Sequence, residues 1–169
     1  LMGWSFLMFW RGLAKNADGT PLFIIILEPQ LFVYATVGAT LVGILAHVGD
    51  ATRYEEFAAA FQAAKTPQEE QRYLYSLVAF QPEELVDRTL AKTINGEIRT
   101  QDAPFVVRQM LMTAHGRERA WTFVKAQWET MDRLYPKTGL RRMADGVTGL
   151  VTPALEKDVH AFFGERGIE

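Results

Sequence analysis

Residues 98–128 read IRTQDAPFVVRQMLMTAHGRERAWTFVKAQW, and this stretch decides the fold because it holds two helical patterns with a glycine between them. From Arg117 onward, Trp121, Val124, Trp128, Met131 and Tyr135 recur three or four residues apart. That spacing is an apolar stripe on a helix over 117–135, closed by Pro136 and Gly139. Before it, Thr100 to His115 predicts a helix ended by Gly116, with Thr100 or Asp102 as its cap. Downstream, a helix over Leu140 to Val151 is expected, then a last helix capped by Thr152-Pro153 and carrying Val159, Phe162 and Phe163.

Upstream the same grammar continues. Pro82 starts a helix with Leu85, Thr89, Leu90 and Ile94 inward, and Asn95-Gly96 stops it. Thr66-Pro67-Gln68-Glu69 is a capping box that opens a helix through about Phe80. Asp50 caps a helix to about Lys65, with Tyr54, Phe57, Phe61 and Ala64 on one face. Short turns between helices imply antiparallel neighbours, so the expected fold is all-α: stacked antiparallel helical hairpins in a HEAT- or armadillo-like solenoid without a strict sequence repeat.

The chain has 169 residues, 49% of them hydrophobic, which is enough for one substantial core. Its 18 basic and 20 acidic residues are spread along the chain, and the absence of a basic stripe argues against nucleic acid as a partner. There is no cysteine, so neither a disulfide frame nor a thiolate metal site is available; the localisation this leans towards is the cytoplasm. The opening LMGWSFLMFWRG has no basic region before its apolar run and no clear cleavage site. It reads as a fragment boundary instead of a signal peptide.

In residues 1–50 only Arg11, Lys15, Asp18, Glu28 and Asp50 carry charge. The run Leu31 to Val48 is nearly long enough to cross a bilayer. Three readings compete: a buried helix, a transmembrane helix, and a hairpin about Glu28-Pro29-Gln30. The buried helix is favoured, because Ala35, Ala39 and Gly43 make a smooth face and Thr36, Gly38, Thr40 and His47 dilute the run. A membrane is disfavoured because no basic flank anchors the segment. Residues 1–169 are therefore expected to be one helical domain, with 1–48 as an apolar interface part and 49–169 as the helical-repeat region. Leu31, Ala35, Ala39, Leu41, Gly43 and Leu45 are the candidate interface, facing a missing partner or a second copy of the chain.

Catalytic chemistry is not legible in these residues. A zinc peptidase needs two imidazoles one helical turn apart with a glutamate beside the first. The histidines are His47, His115 and His160, none with another four residues away. His115 is expected to cap a helix C-terminus, and His160 with Asp158 and Glu156 to lie on a solvated face. Ser5 and Ser76 have no histidine or acid nearby in sequence, and Gly146 and Gly149 lack the lysine of a phosphate loop. The doublets Glu55-Glu56, Glu69-Glu70 and Glu83-Glu84 fall in or near first helical turns, where they complement the helix dipole. Arg99, Gln101, Asp102 and Arg108 cluster at one helix entrance and are the candidate contacts for a peptide.

Several fixed points stand in the order expected of one family. They are Thr66 to Glu70 followed by Arg72-Tyr73 and Leu77, then Ile98 to Asp102, Gly116, Ala120-Trp121, Trp128 and Phe162-Phe163. In these the chain resembles the C-terminal helical domain of the gluzincin zinc aminopeptidases, the group of aminopeptidase N, the puromycin-sensitive enzyme and the endoplasmic-reticulum aminopeptidases. The resemblance implies a HEAT-like bowl over the active site of a catalytic domain that this sequence does not contain. The partners it implies are that catalytic domain and a peptide substrate, and zinc is implied for the parent enzyme only. The isolated chain is expected to be inactive. The competing reading is a free-standing helical-repeat module for protein interaction.

Overall fold

The computed structural model describes residues 40–166, whose regular elements are all helical, with no strand among them. Residues 40–47 are helical (α1), followed by α2 (Ala51–Ala63) and α3 (Pro67–Ser76), which continues as a 3-10 turn over Leu77–Ala79. Then come α4 (Glu83–Lys92), α5 (Ala103–Met112), α6 (Arg117–Leu134) and α7 (Lys137–Ala144), the last extended by a 3-10 segment over Asp145–Gly149. The series ends with α8 (Pro153–Gly164).

Three helix starts are capped as their sequences demand. The Asp50 carboxylate accepts from the Arg53 amide at 3.0 Å, the Thr66 hydroxyl from Glu69 at 3.2 Å and the Thr152 hydroxyl from Leu155 at 3.4 Å. Each such cap stabilises its helix by about 1 kcal/mol. The Glu69 carboxylate reaches back to the Lys65 amide at 3.1 Å, completing the reciprocal half of the box one residue earlier than expected.

Packing joins consecutive helices and also helices two apart in the chain. α4 and α6 start together, where Arg119 meets Asp87 at 2.7 Å and also pairs with Glu83. They finish together too, where the Tyr135 hydroxyl donates to the Thr93 carbonyl at 3.1 Å. α5 and the α7 segment also run parallel, in a register marked by glycines: Gly139 sits on Pro104, Gly146 on Arg108, and Gly149 on Leu111 and Met112. Parallel next-but-one neighbours are what stacked antiparallel hairpins produce, so the expected all-α, solenoid-like arrangement is observed.

The main core runs from Phe61 through Leu90, Val107 and Met110 to Leu150 and Phe162. A smaller one holds Ala46, Tyr54, Phe57, Leu77, Phe80 and Leu85. The α6 stripe is buried as its spacing predicts. Trp121 and Trp128 meet Phe162 edge-on at 5.2 and 5.5 Å, geometry worth about 1 kcal/mol per pair beyond area burial.

Several expectations are corrected. The helix expected over Thr100–His115 is only Ala103–Met112, because residues 99–102 form a turn in which the Asp102 and Ala103 amides both bond the Arg99 carbonyl, and Thr113 leaves the helix extended. Asp102 holds the cap position without making a cap bond. Gly116 does not end α5. It precedes α6, where a Cβ would lie 2.4 Å from the Met110 sulfur. Gly139 lies inside α7 instead of closing α6, since Pro136 alone turns the chain. The helix expected through Phe80 stops being α-helical at Ser76.

Of the candidate interface, Leu31, Ala35 and Ala39 lie outside the described residues, as does the proposed hairpin. The buried-helix expectation does not hold for the described end of that run. Leu41, Ile44, Leu45 and Val48 are exposed, Ala46 alone is fully buried, and a Cβ on Gly43 would meet nothing within 4 Å. Among the described residues no helix is long and apolar enough to cross a membrane.

Candidate functional site

The four candidate peptide contacts separate into two places. Arg99, in the turn before α5, pairs with Glu70 of α3 at 3.1 Å. Asp102 stands in the same field: burial raises its carboxyl above the usual carboxylate range, Arg99 opposes that rise and Glu70 adds to it. Gln101 is exposed beside them. Arg108 lies farther along α5, where its backbone and Cγ sit against Gly146. The α5 entrance is thus a polar corner of Glu70, Arg99, Gln101 and Asp102, with Arg108 apart.

The acidic doublets are structural, though not all for the reason expected. Glu69-Glu70 and Glu83-Glu84 occupy first turns, but Glu55 and Glu56 do not; they pair with Arg88 at 2.6 Å and Arg53 at 2.7 Å. His115 does not cap its own helix. Its Nε2 reaches the Val78 carbonyl oxygen at 3.0 Å, satisfying the 3-10 turn that follows α3. Asp158, the proposed neighbour of His160, accepts from Trp121 Nε1 at 2.7 Å and from Lys125 Nζ at 2.6 Å, and these donors lower its pKa. Among the described residues no group of three His, Asp or Glu side chains could hold a metal ion. The zinc implied by the resemblance therefore finds no ligand set in the described part of this chain.

One concavity among the described residues is a feature that sequence reading passed over. It is an open cleft of about 720 Å³ along the α4–α6 seam. Glu83 and Asp87 line it from α4, and His115, Glu118, Arg119 and Phe123 from the other side. Arg119 points both of its terminal nitrogens at the α4 carboxylates. The signal was present: Glu83 and Asp87 are one helical turn apart, and Arg119 precedes Trp121 by two positions, on a different face from the apolar stripe. What the sequence lacked was the pairing of α4 with α6.

Comparison with known proteins agrees with the resemblance to the C-terminal helical domain. The family model for the ERAP1-like C-terminal domain matches residues 30–168. Aminopeptidase M1-A of Oryza sativa subsp. japonica is 29% identical over 131 residues, covering 76% of this chain and 15% of that protein. Leucyl aminopeptidase of Saccharolobus solfataricus is 28% identical over 123 residues, covering 68% of this chain and 16% of the relative. Alanine/arginine aminopeptidase of Saccharomyces cerevisiae is 26% identical over 132 residues, covering 76% and 15%. The chain therefore spans less than one-fifth of the length of each of these relatives.

Proposed function

The chain belongs to the ERAP1-like C-terminal domain family, and from that premise we propose that it is the accessory domain of a zinc aminopeptidase, shaping the chamber in which peptide substrates are held. The family match over residues 30–168 carries this reading. The three relatives are aminopeptidases by name, and each is several times longer than the segment it shares with this chain. In such an enzyme the hydrolytic step belongs to the longer protein's catalytic domain. The contribution of this chain is a wall of HEAT-like stacked helices.

Two surfaces suit that role. The stripe of Leu41, Ile44, Leu45 and Val48 follows helical spacing and stays exposed, an apolar face that is costly to leave in water and suited to meeting the catalytic domain or a second copy of the chain. The polar corner of Arg99, Gln101 and Asp102 at the α5 entrance, with Arg108 farther along, offers charge and hydrogen bonds to a peptide.

The test combines gene and protein. The coding sequence upstream of residue 1, read in frame, should encode H-E-x-x-H, and the isolated chain should neither bind zinc stoichiometrically nor hydrolyse aminoacyl substrates. A stop codon shortly before residue 1 would favour the free-standing interaction module. Chelator-sensitive hydrolysis by the purified chain would overturn the accessory role.

A further inference from the structure

We propose that Asn95-Gly96, in the turn between α4 and α5, is a site of spontaneous covalent modification, at which the Gly96 backbone nitrogen attacks the Asn95 side-chain carbon and ammonia is released. Glycine follows asparagine here, so no side chain shields the attacking nitrogen. Among the described residues the Gly96 amide makes no hydrogen bond, and a Cβ on Gly96 would meet nothing within 4 Å. Both residues are exposed, so water reaches the site. The residue after the glycine holds the Asn95 carboxamide at both of its polar atoms: Oδ1 accepts from the Glu97 amide at 3.0 Å, and Nδ2 donates to the Glu97 carboxylate at 2.5 Å. The ring closed by the first bond contains both the Asn95 Cγ and the Gly96 nitrogen, so the two atoms that join are folded to the same side of the turn. The Glu97 amide thus already meets the oxygen on which negative charge develops during attack.

The reaction needs only water. The bond formed joins the Gly96 nitrogen to the Asn95 Cγ, and the bond broken is Cγ to Nδ2. The Gly96 proton goes to solvent, and the departing nitrogen takes a proton from water and leaves as ammonia. The resulting succinimide then adds water, giving aspartate where the Gly96 nitrogen is released from Cγ and isoaspartate where it is released from the main-chain carbon. Nothing is oxidised or reduced. Either product sets a carboxylate where an amide now donates to Glu97, whose own carboxyl is held below its usual range first by Lys92 and then by this Asn95 donor. Isoaspartate also lengthens the main chain by a methylene. The far end of the turn has little slack, since Ile98 is buried with its amide on the Lys92 carbonyl at 3.2 Å, and Arg99 beside it pairs with Glu70. The modification therefore loosens the seating of Ile98 and Arg99 at the α5 entrance.

The test incubates the 169-residue chain in warm, mildly alkaline buffer and follows its tryptic peptide of residues 93–99 by mass spectrometry, with the synthetic peptide of the same residues incubated alongside. Conversion appears as the mass gain of an amide replaced by an acid and as separate aspartyl and isoaspartyl peaks, the latter a substrate for isoaspartyl methyltransferase. The folded chain should convert at least as fast as the free peptide. Retention of Asn95 in the folded chain, or conversion about tenfold slower than in the free peptide, means that the turn protects the site and overturns the proposal. The converted chain should also unfold in urea at a lower midpoint than an equally aged Asn95→Gln chain, whose longer side chain closes the corresponding ring far more slowly. Equal midpoints overturn the coupling of the site to the α5 entrance.

Discussion

The parallel seam between α5 and the α7 segment makes a quantitative demand at Gly149. A Cβ there would stand 2.5 Å from the Leu111 carbonyl oxygen and 2.8 Å from the Met112 Cα, against an ordinary contact of about 3.5–4.0 Å. Both opposing atoms are backbone, so no rotamer change relieves the overlap. Gly149 does not have a positive φ, so alanine can adopt its backbone and the cost is steric alone. Relief requires the Asp145–Gly149 turn to move about 1 Å off α5, a gap that forfeits roughly a quarter to a half of the dispersion attraction along the seam.

We expect Gly149→Ala to destabilise the fold by about 2–3 kcal/mol, the upper range for overpacking, and to lower the midpoint by roughly 5–10 °C. Gly146→Ala, whose Cβ would lie 3.0 Å from the Arg108 carbonyl oxygen, should cost about 1 kcal/mol. The double variant should cost less than the sum, since one displacement relieves both overlaps. Gly164→Ala, with nothing within 4 Å, should be neutral or stabilising by about 0.5 kcal/mol. Urea unfolding followed by circular dichroism measures all four. A Gly149→Ala midpoint indistinguishable from that of Gly164→Ala would refute the register of the seam.

Three further outcomes follow from burial and exposure. Trp128→Ala should cost on the order of 3–5 kcal/mol in urea unfolding, because the indole is 6% exposed and packs edge-on against Phe162 and Phe163; a cost below about 1 kcal/mol would mean an exposed binding stack. Burial pushes the Tyr135 phenol up to about 12, so its contribution is complete below the ordinary tyrosine value near 10 and is lost as pH rises from there through about 12. Stability measured across that window should fall less steeply in Tyr135→Phe, and equal slopes would remove Tyr135 as a source of alkaline sensitivity. The variant Leu41→Lys with Leu45→Lys should abolish any self-association seen by light scattering without detergent while leaving helix content unchanged. Monodispersity only in detergent, with partition into liposomes, would favour a membrane-bound form.

Legibility in the sequence followed the range of the interaction. Helix starts at Asp50, Thr66 and Thr152 were readable because a cap is settled within three residues, and the α6 stripe because period and burial coincide on one element. The errors lie where a distant element decides. Gly139 looks like a terminator by composition, yet it serves Pro104 across the α5–α7 seam. His115 looks like a cap for its own helix, but the carbonyl it meets lies 37 residues earlier in the chain. The α4–α6 cleft was hidden for the same reason. Glu83 read alone complements a helix dipole, and only the pairing of α4 with α6 brings Arg119 to Glu83 and Asp87. A solenoid-like fold makes that outcome general: caps and stripes are local to each helix, while its grooves are made by helices two apart in the chain. Any binding preference of such a domain is therefore written in residue pairs that sequence order separates, and double variants across a seam report on it more directly than single substitutions within one helix.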